Sequence, residues 1–223
     1  MKFATLRNIF VASLMLMVGS LNVNAADFNV TNLAETIQGA ETISGSNTVK
    51  QIASNFSTGS FTGTADVWLV QLYLNSFGSY NLANLSVRIF TDNVGVPGSA
   101  VGSLGGTGIM STGGVFNFTN TASPVPLQPN TNYWVVIKNT VAGTGSNNVN
   151  WAYDYPSSPL PGLNGQIGTT QLVSTNGTSW NTFSNTASLM RITNVPEPST
   201  YALGMIGALT MGYVARRRSG LNV

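Results

Sequence analysis

The 223-residue sequence contains no cysteine and no histidine. Without cysteine, the chain has no disulfide framework and no thiolate chemistry. Without histidine, it lacks the side chain that most often acts as a general base and that is the commonest transition-metal ligand. A zinc site would have to be built from carboxylates alone, which is unusual. These two absences remove most of the common kinds of catalytic centre.

Charged residues are scarce as well, at 7% of the chain. The formal net charge is +2, but five of the nine basic residues lie in the two end segments, namely Lys2, Arg7, Arg216, Arg217 and Arg218. Between residues 26 and 195 there are four basic and six acidic residues, so the net charge of this body is about −2. The body lacks the basic stripe that binding to a phosphate backbone requires. We therefore predict no nucleic-acid partner.

Familiar catalytic motifs are absent too, since the sequence has no GxSxG, HExxH, CxxC or Walker pattern. Glycosidases need two carboxylates about 5 to 10 Å apart, and the candidates in the strand-rich region are Asp66, Asp92 and Asp154. Asp92 lies in an expected turn, where aspartate commonly bonds local backbone. No spaced carboxylate loop supports calcium binding. We predict that the chain is not an enzyme and has no catalytic residues, metal ligands or cofactor.

The N-terminal segment, residues 1–25, has the organisation of a secretory signal peptide. Lys2 and Arg7 precede a short apolar run, and small residues then lead up to Ala25. We predict export through the Sec machinery and cleavage by signal peptidase after Ala25, with Ala26 as the next best position. The alternative is an N-terminal membrane anchor, for which the apolar run is short.

The C-terminal segment combines a proline-rich triplet, an apolar run and a basic cluster, in that order. The apolar run covers about residues 199–215 and, as a transmembrane helix, would span roughly 22 to 26 Å, slightly less than the bilayer core. Basic residues stay on the cytoplasmic side, so we expect residues 219–223 to form a cytoplasmic tail and the body to lie outside. The short motifs are Val195, Pro196, Glu197 and Pro198 before the run, and Arg216, Arg217 and Arg218 after it.

The order of these parts over residues 195–218 resembles the PEP-CTERM sorting signal of Gram-negative bacteria. The resemblance implies that an exosortase recognises Pro196, Glu197 and Pro198 and processes the chain, with a transient intermediate anchored in the inner membrane. It also implies an association with exopolysaccharide and biofilm, at the outer surface or in the extracellular matrix. Two prolines keep the triplet extended, which leaves its backbone open to a protease. The alternative is a permanent tail anchor.

Between the two ends, short strand-like segments alternate with clusters of glycine, asparagine, serine and proline, without helical periodicity. This pattern predicts an all-β ectodomain over residues 61–194, an antiparallel β-sandwich of Greek-key or jelly-roll type, with helices only in the signal and transmembrane segments. Residues 26–60 are polar, and we expect a loose lead-in with one or two weak strands. Asn176 and Gly177 give the strongest hairpin signal. Further strands are expected at 115–119, 133–139, 149–155, 170–174 and 189–193.

Two stretches of the body resemble known modules. Leu127, Pro129 and Tyr133 precede one of the expected strands and resemble the tyrosine corner of fibronectin-type sandwiches. This resemblance implies that the Tyr133 hydroxyl bonds to the backbone upstream of it. The longer stretch 85–154 resembles the choice-of-anchor type of ectodomain, which is attached to such sorting signals.

An aromatic row marks one strand, because Trp151, Tyr153 and Tyr155 alternate and so point to one face. If exposed, this row would stack on sugar rings; if buried, it would line the core. We therefore predict a non-enzymatic, exported surface or matrix protein associated with exopolysaccharide. The alternative is a carbohydrate-binding module or adhesin on the same scaffold.

Overall fold

The computed structural model describes residues 27–43, 50–76, 78–120, 122–141 and 148–194. Within these ranges the chain forms 18 strands and one 3-10 turn (Leu82–Asn84), without an α-helix. The expected signal helix and C-terminal transmembrane helix lie outside the described residues. Among the residues that are described, no helix is both long enough and apolar enough to cross a membrane.

The strands are short and follow one another closely along the chain. In order they are β1 (Asn29–Thr31), β2 (Gly39–Ile43), β3 (Gln51–Thr58), β4 (Ala65–Val67), β5 (Leu69–Ser76), β6 (Tyr80–Asn81), β7 (Leu85–Asp92), β8 (Pro97–Gly106), β9 (Ile109–Met110), β10 (Gly114–Thr119), β11 (Val125–Leu127), β12 (Asn132–Asn139), β13 (Val149–Asp154), β14 (Leu160–Gly162), β15 (Gly165–Ser174), β16 (Asn181–Ser184), β17 (Ala187–Ser188) and β18 (Met190–Thr193). Neighbouring strands pair antiparallel. The prediction of an antiparallel all-β fold is confirmed.

Fourteen strands belong to one sheet that curls round on itself. Its hydrogen-bonded order is β1-β18-β5-β10-β8-β7-β12-β3-β15-β14, with β13 beside β5 and carrying β2 and β17. The two ends of this path meet, because Asn29 and Leu163 exchange backbone hydrogen bonds of 3.1 and 2.7 Å. Two small sheets, β4 with β11 and β6 with β9, complete the fold.

The main core lies on the inner face of the curled sheet. Leu85, Val87 and Ile89 of β7 alternate with outward residues and are at most 3% exposed, as their period-two pattern requires. In β12 both faces are buried: Val135 belongs to the inner core, whereas Val136 belongs to a second apolar cluster on the outer face. Besides Val136, that outer cluster contains Ala53, Trp134 and Leu172, packed by Phe90, Val96 and Trp180.

The expected loose lead-in at residues 26–60 is wrong, since three of its segments are strands of the main sheet. β3 lies between β12 and β15 and buries Ile52 and Phe56. Polar side chains of β3 form hydrogen bonds within the protein. The Asn55 side chain accepts a 3.0 Å bond from the Thr170 N–H, where the register of β15 shifts in a bulge. The boundary expected at residue 61 therefore does not separate a domain from a linker.

Two of the local predictions correspond to specific hydrogen bonds. Asn176 and Gly177 lie in the hairpin between β15 and β16; Gly177 has φ 77°, and the Asn176 side-chain oxygen accepts bonds from the Thr178 and Ser179 backbone amides. At the expected corner, the Tyr133 hydroxyl accepts a 2.8 Å bond from the Gln128 N–H. This bond ties the entry of β12 to the end of β11, whose Leu127 is fully buried.

Candidate functional site

The two ends of the described body meet at one place. The Phe28 N–H donates a 2.8 Å hydrogen bond to the Asn194 side-chain oxygen, and the Asn194 N–H donates a 3.1 Å bond to the Phe28 carbonyl. Next to this clamp, β1 pairs with β18, with Asn29 opposite Thr193. Phe28, close to the expected signal cleavage site, therefore lies beside Asn194, which directly precedes the expected sorting motif.

The sorting and cleavage residues themselves lie outside the described part of the chain. They are Ala25, Ala26, Val195, Pro196, Glu197, Pro198, Arg216, Arg217 and Arg218.

The expected aromatic row does not form a continuous exposed platform. Trp151 is fully buried, and its indole N–H donates a 3.0 Å bond to the Leu189 carbonyl. Its ring is unavailable to a sugar, so the glycan-stacking prediction is wrong for Trp151. The row runs from the core outward, because Tyr153 on β13 is half-buried and Tyr155, the residue after the end of the strand, is 51% exposed. What remains is a pair of tyrosines.

The rings of Tyr153 and Tyr155 meet edge to face, with centroids 5.2 Å apart. Their hydroxyl oxygens share a hydrogen bond of 3.2 Å. This bond, followed by partial burial and then by the charges of Tyr155 and Glu41, raises the pKa of Tyr153 to about 12. The phenol is therefore neutral at physiological pH and can donate a hydrogen bond or present its ring.

The three carboxylates considered for hydrolysis lie at separate places in the fold. Asp66 lies on β4, in a small two-stranded sheet. Asp92 accepts a 2.7 Å bond from the Trp134 indole N–H and 3.2 Å bonds from the Gly95 N–H. Asp154 is 6% exposed and accepts a 2.8 Å bond from the next amide. In the described ranges no group of three or more acidic residues could hold a metal ion.

A shallow cleft of about 130 Å³ opens on the outer face of the sheet, where β3, β7 and β12 run side by side. Two basic side chains, Arg88 and Lys138, line it with Phe90. Arg88 is opposite Val136, and Lys138 is opposite Ser86, so the two cations are diagonal neighbours; such positions lie about 7 to 8 Å apart. The Arg88 guanidinium carbon lies 5.3 Å from the centre of the Phe90 ring.

Sequence reasoning missed this cleft. Arg88 lies at an outward position between the inward residues Val87 and Ile89, and this period-two signal was visible. The pairing of β7 with β12, which brings Lys138 beside Arg88, joins distant parts of the chain and has no local signature.

Residues 194–218 match a family model described as the PEP-CTERM protein-sorting motif. The chain carries a PEP-CTERM sorting motif. The expectation for residues 195–218 is thereby confirmed. The motif implies export, a membrane-anchored sorting intermediate and an exosortase as the processing partner. No curated protein matches the chain.

The PEP-CTERM match begins at Asn194, the residue that closes the clamp with Phe28. The last strand, β18, ends one residue earlier. The matched range therefore begins at the residue that directly follows the last described strand. The sheet-rich body is compatible with the choice-of-anchor resemblance, which stays a prediction.

Proposed function

We propose that this chain is a non-enzymatic component of the bacterial surface or extracellular matrix, exported, processed by an exosortase and associated with exopolysaccharide in biofilm. The observation that carries the proposal is the PEP-CTERM motif at residues 194–218, placed directly after the last strand of a closed all-β body. Signal peptidase and the Sec machinery act first, and the inner membrane holds the chain only transiently.

The body itself supports a structural role. It carries ten charged residues between positions 26 and 195, and its polar surface is made mainly of hydroxyl and amide groups. Such a surface suits a hydrated polysaccharide. The three carboxylates that would serve a hydrolase are held by backbone or indole donors or lie in separate sheets. The body then acts through its shape and surface.

We further propose that the curled sheet is a Greek-key sandwich of the choice-of-anchor type. The tyrosine-corner bond from Gln128 to Tyr133 supports this, because it is the contact that such sandwiches make at a crossing between strands.

Processing is tested by the mass of the mature protein in a producing strain and in its exosortase deletion. We expect loss of the C-terminal segment in the first and its retention in the second. Glu197→Ala should block processing, whereas Glu35→Ala removes the same charge from an exposed position of the body and should not. Retention of the C-terminal segment in both strains would mean a permanent tail anchor instead.

A carbohydrate-binding module or adhesin is the second candidate, and the Tyr153–Tyr155 pair favours it. A half-exposed ring beside a neutral phenol offers stacking and hydrogen bonding to a sugar. We expect Tyr155→Ala to reduce retention of the protein on exopolysaccharide. The control is Phe183→Ala, because Phe183 is 45% exposed and lies on β16, which pairs with β15 and not with β13. Equal retention of both variants and the parent would remove the tyrosines from binding.

A further inference from the structure

The described body has four basic residues, and two of them are satisfied by polar partners. Lys50 forms an ion pair with Glu41, and the Arg191 side chain donates a 3.0 Å bond to the Asn29 side chain. Arg88 and Lys138 are different. In the described part of the chain, neither side chain forms an ion pair or a hydrogen bond, and the Arg88 guanidinium lies over the Phe90 ring.

These two unmatched cations line the same cleft. Two like charges at diagonal positions repel each other, and here no acidic residue of the described body compensates them. The nearest acidic residue on the same strand face is Asp92, four residues beyond Arg88, or about 14 Å along the strand. Its carboxylate is bound to the Trp134 indole and the Gly95 amide. An anion that would neutralise Arg88 and Lys138 must therefore come from another molecule.

The other walls of the cleft narrow down the chemistry of that anion. Phe90 contributes an apolar ring, and Gln51 and Ser86 bring neutral hydrogen-bonding groups to the same opening. The volume of about 130 Å³ is smaller than the roughly 300 to 1,000 Å³ of small-molecule pockets. It therefore accommodates one charged group and part of one ring, as part of a longer polymer that runs over the surface.

We propose that the Arg88–Lys138 cleft binds a carboxylate-bearing sugar unit, a uronate, of an anionic polysaccharide. Arginine and lysine bind the carboxylate by charge-assisted hydrogen bonds, Phe90 packs against the ring, and the Gln51 and Ser86 side chains bind hydroxyl groups. This binding site rests on the proposed function, because it requires export of the chain and association with exopolysaccharide. It names the residues that would make that association.

A nucleic acid fits this cleft less well. Its affinity rests on many phosphate contacts, each neutralised by a basic residue. The outer face offers two cations in a body of net charge about −2, which supports recognition of a single anionic group but not of a continuous phosphate backbone.

The test measures binding of the full chain, purified in non-ionic detergent, to immobilised polygalacturonate. Neutral dextran, dextran sulfate and double-stranded DNA are the comparison polymers. The double variant Arg88→Gln with Lys138→Gln is compared with the double variant Lys50→Gln with Arg191→Gln, which loses the same charge and the same residue types elsewhere. Both cleft residues are at least partly exposed, so the substitutions should leave folding intact.

We expect the parent to bind polygalacturonate and the cleft variant to bind it at least tenfold more weakly, with the control variant within about twofold of the parent. Binding should weaken as salt rises from about 50 to 500 mM, because exposed charges are screened. Equal losses in the two variants, or equal binding to dextran, would overturn the proposal. Binding to dextran sulfate or DNA in place of polygalacturonate would show that the ligand of the cleft is not a uronate. None of these results bears on processing by the exosortase, which the mass measurement tests separately.

Discussion

The hydroxyl of Tyr133 is the part of the corner that a single substitution removes most cleanly. Tyr133 is 2% exposed, and its ring stacks on Phe56 with centroids 5.6 Å apart. Tyr133→Phe keeps that ring and its packing. It removes the acceptor of the 2.8 Å bond from the Gln128 N–H, which is partly buried.

The expected loss of stability depends on whether the Gln128 N–H finds another acceptor in the variant. Leaving a buried donor without a partner costs about 1 to 3 kcal/mol. Residue 128 is exposed on its other side, so water reaches the amide in part and the lower half of that range applies, about 1 to 2 kcal/mol. For a domain of this size, 1 kcal/mol moves Tm by about 2 to 4 °C, so Tm should fall by about 2 to 8 °C.

Urea unfolding of the purified full chain, followed by tryptophan fluorescence, measures this difference. The matched control is Tyr73→Phe, since Tyr73 is half-buried on β5 and its hydroxyl has no hydrogen-bond partner among the described residues. The control should change the free energy of unfolding by no more than about 0.5 kcal/mol. If Tyr133→Phe is as stable as Tyr73→Phe, the corner bond contributes nothing and the reasoning fails.

Three further substitutions test other parts of the fold. Burial raises the pKa of Tyr80 to about 12, and its hydroxyl has no hydrogen-bond partner in the described structure. The Tyr80 phenol therefore loses its proton at a lower pH in the unfolded chain than in the folded one, so the free energy of unfolding falls as pH rises from about 10 to 12. Tyr80→Phe should flatten this fall and raise the free energy of unfolding at pH 7 by about 1 kcal/mol; equal urea midpoints of the variant and the parent at pH 7 would contradict this. Asn55→Ala removes the acceptor of the Thr170 N–H in the β15 bulge and should lower the free energy of unfolding by about 1 to 3 kcal/mol, so an unchanged urea midpoint would count against the bulge. Asn194→Ala removes the acceptor of the Phe28 N–H and should speed hydrogen exchange at that amide by about tenfold; unchanged exchange would show that the clamp is not held by this bond.

The strands of the inner core were predictable because their pattern is local. Val115 to Thr119 lies within β10, and alternation at Leu85, Val87 and Ile89 placed one face of β7 in the core. β3 was missed for a related reason. Its serines and asparagine look like loop residues, but here Ser54 accepts a bond from the Ser188 N–H inside the core, so polar side chains act as part of the sheet.

Periodicity also fixes the side of a strand but not the depth of a residue along it. The alternation of Trp151, Tyr153 and Tyr155 predicts one face for the three side chains, yet burial falls from complete to half along that row. Depth depends on which strands lie beside β13: β2 pairs along it as far as Tyr153, whereas the pairing with β5 ends at Trp151. The Arg88–Lys138 cleft shows the same limit, because it exists only through the pairing of β7 with β12.

The closure of the sheet at the chain ends links the fold to the sorting motif. β18 pairs with β1 and β5, and β1 meets Leu163 across the seam, so the strand that precedes the motif is held on both sides by the body. The two strands that pair with β18, namely β1 and β5, both lie earlier in the described part of the chain, and β18 ends at Thr193. Processing within the motif, beyond Asn194, therefore removes no strand of the described body. An exosortase that cuts there would leave every described strand of the body in place.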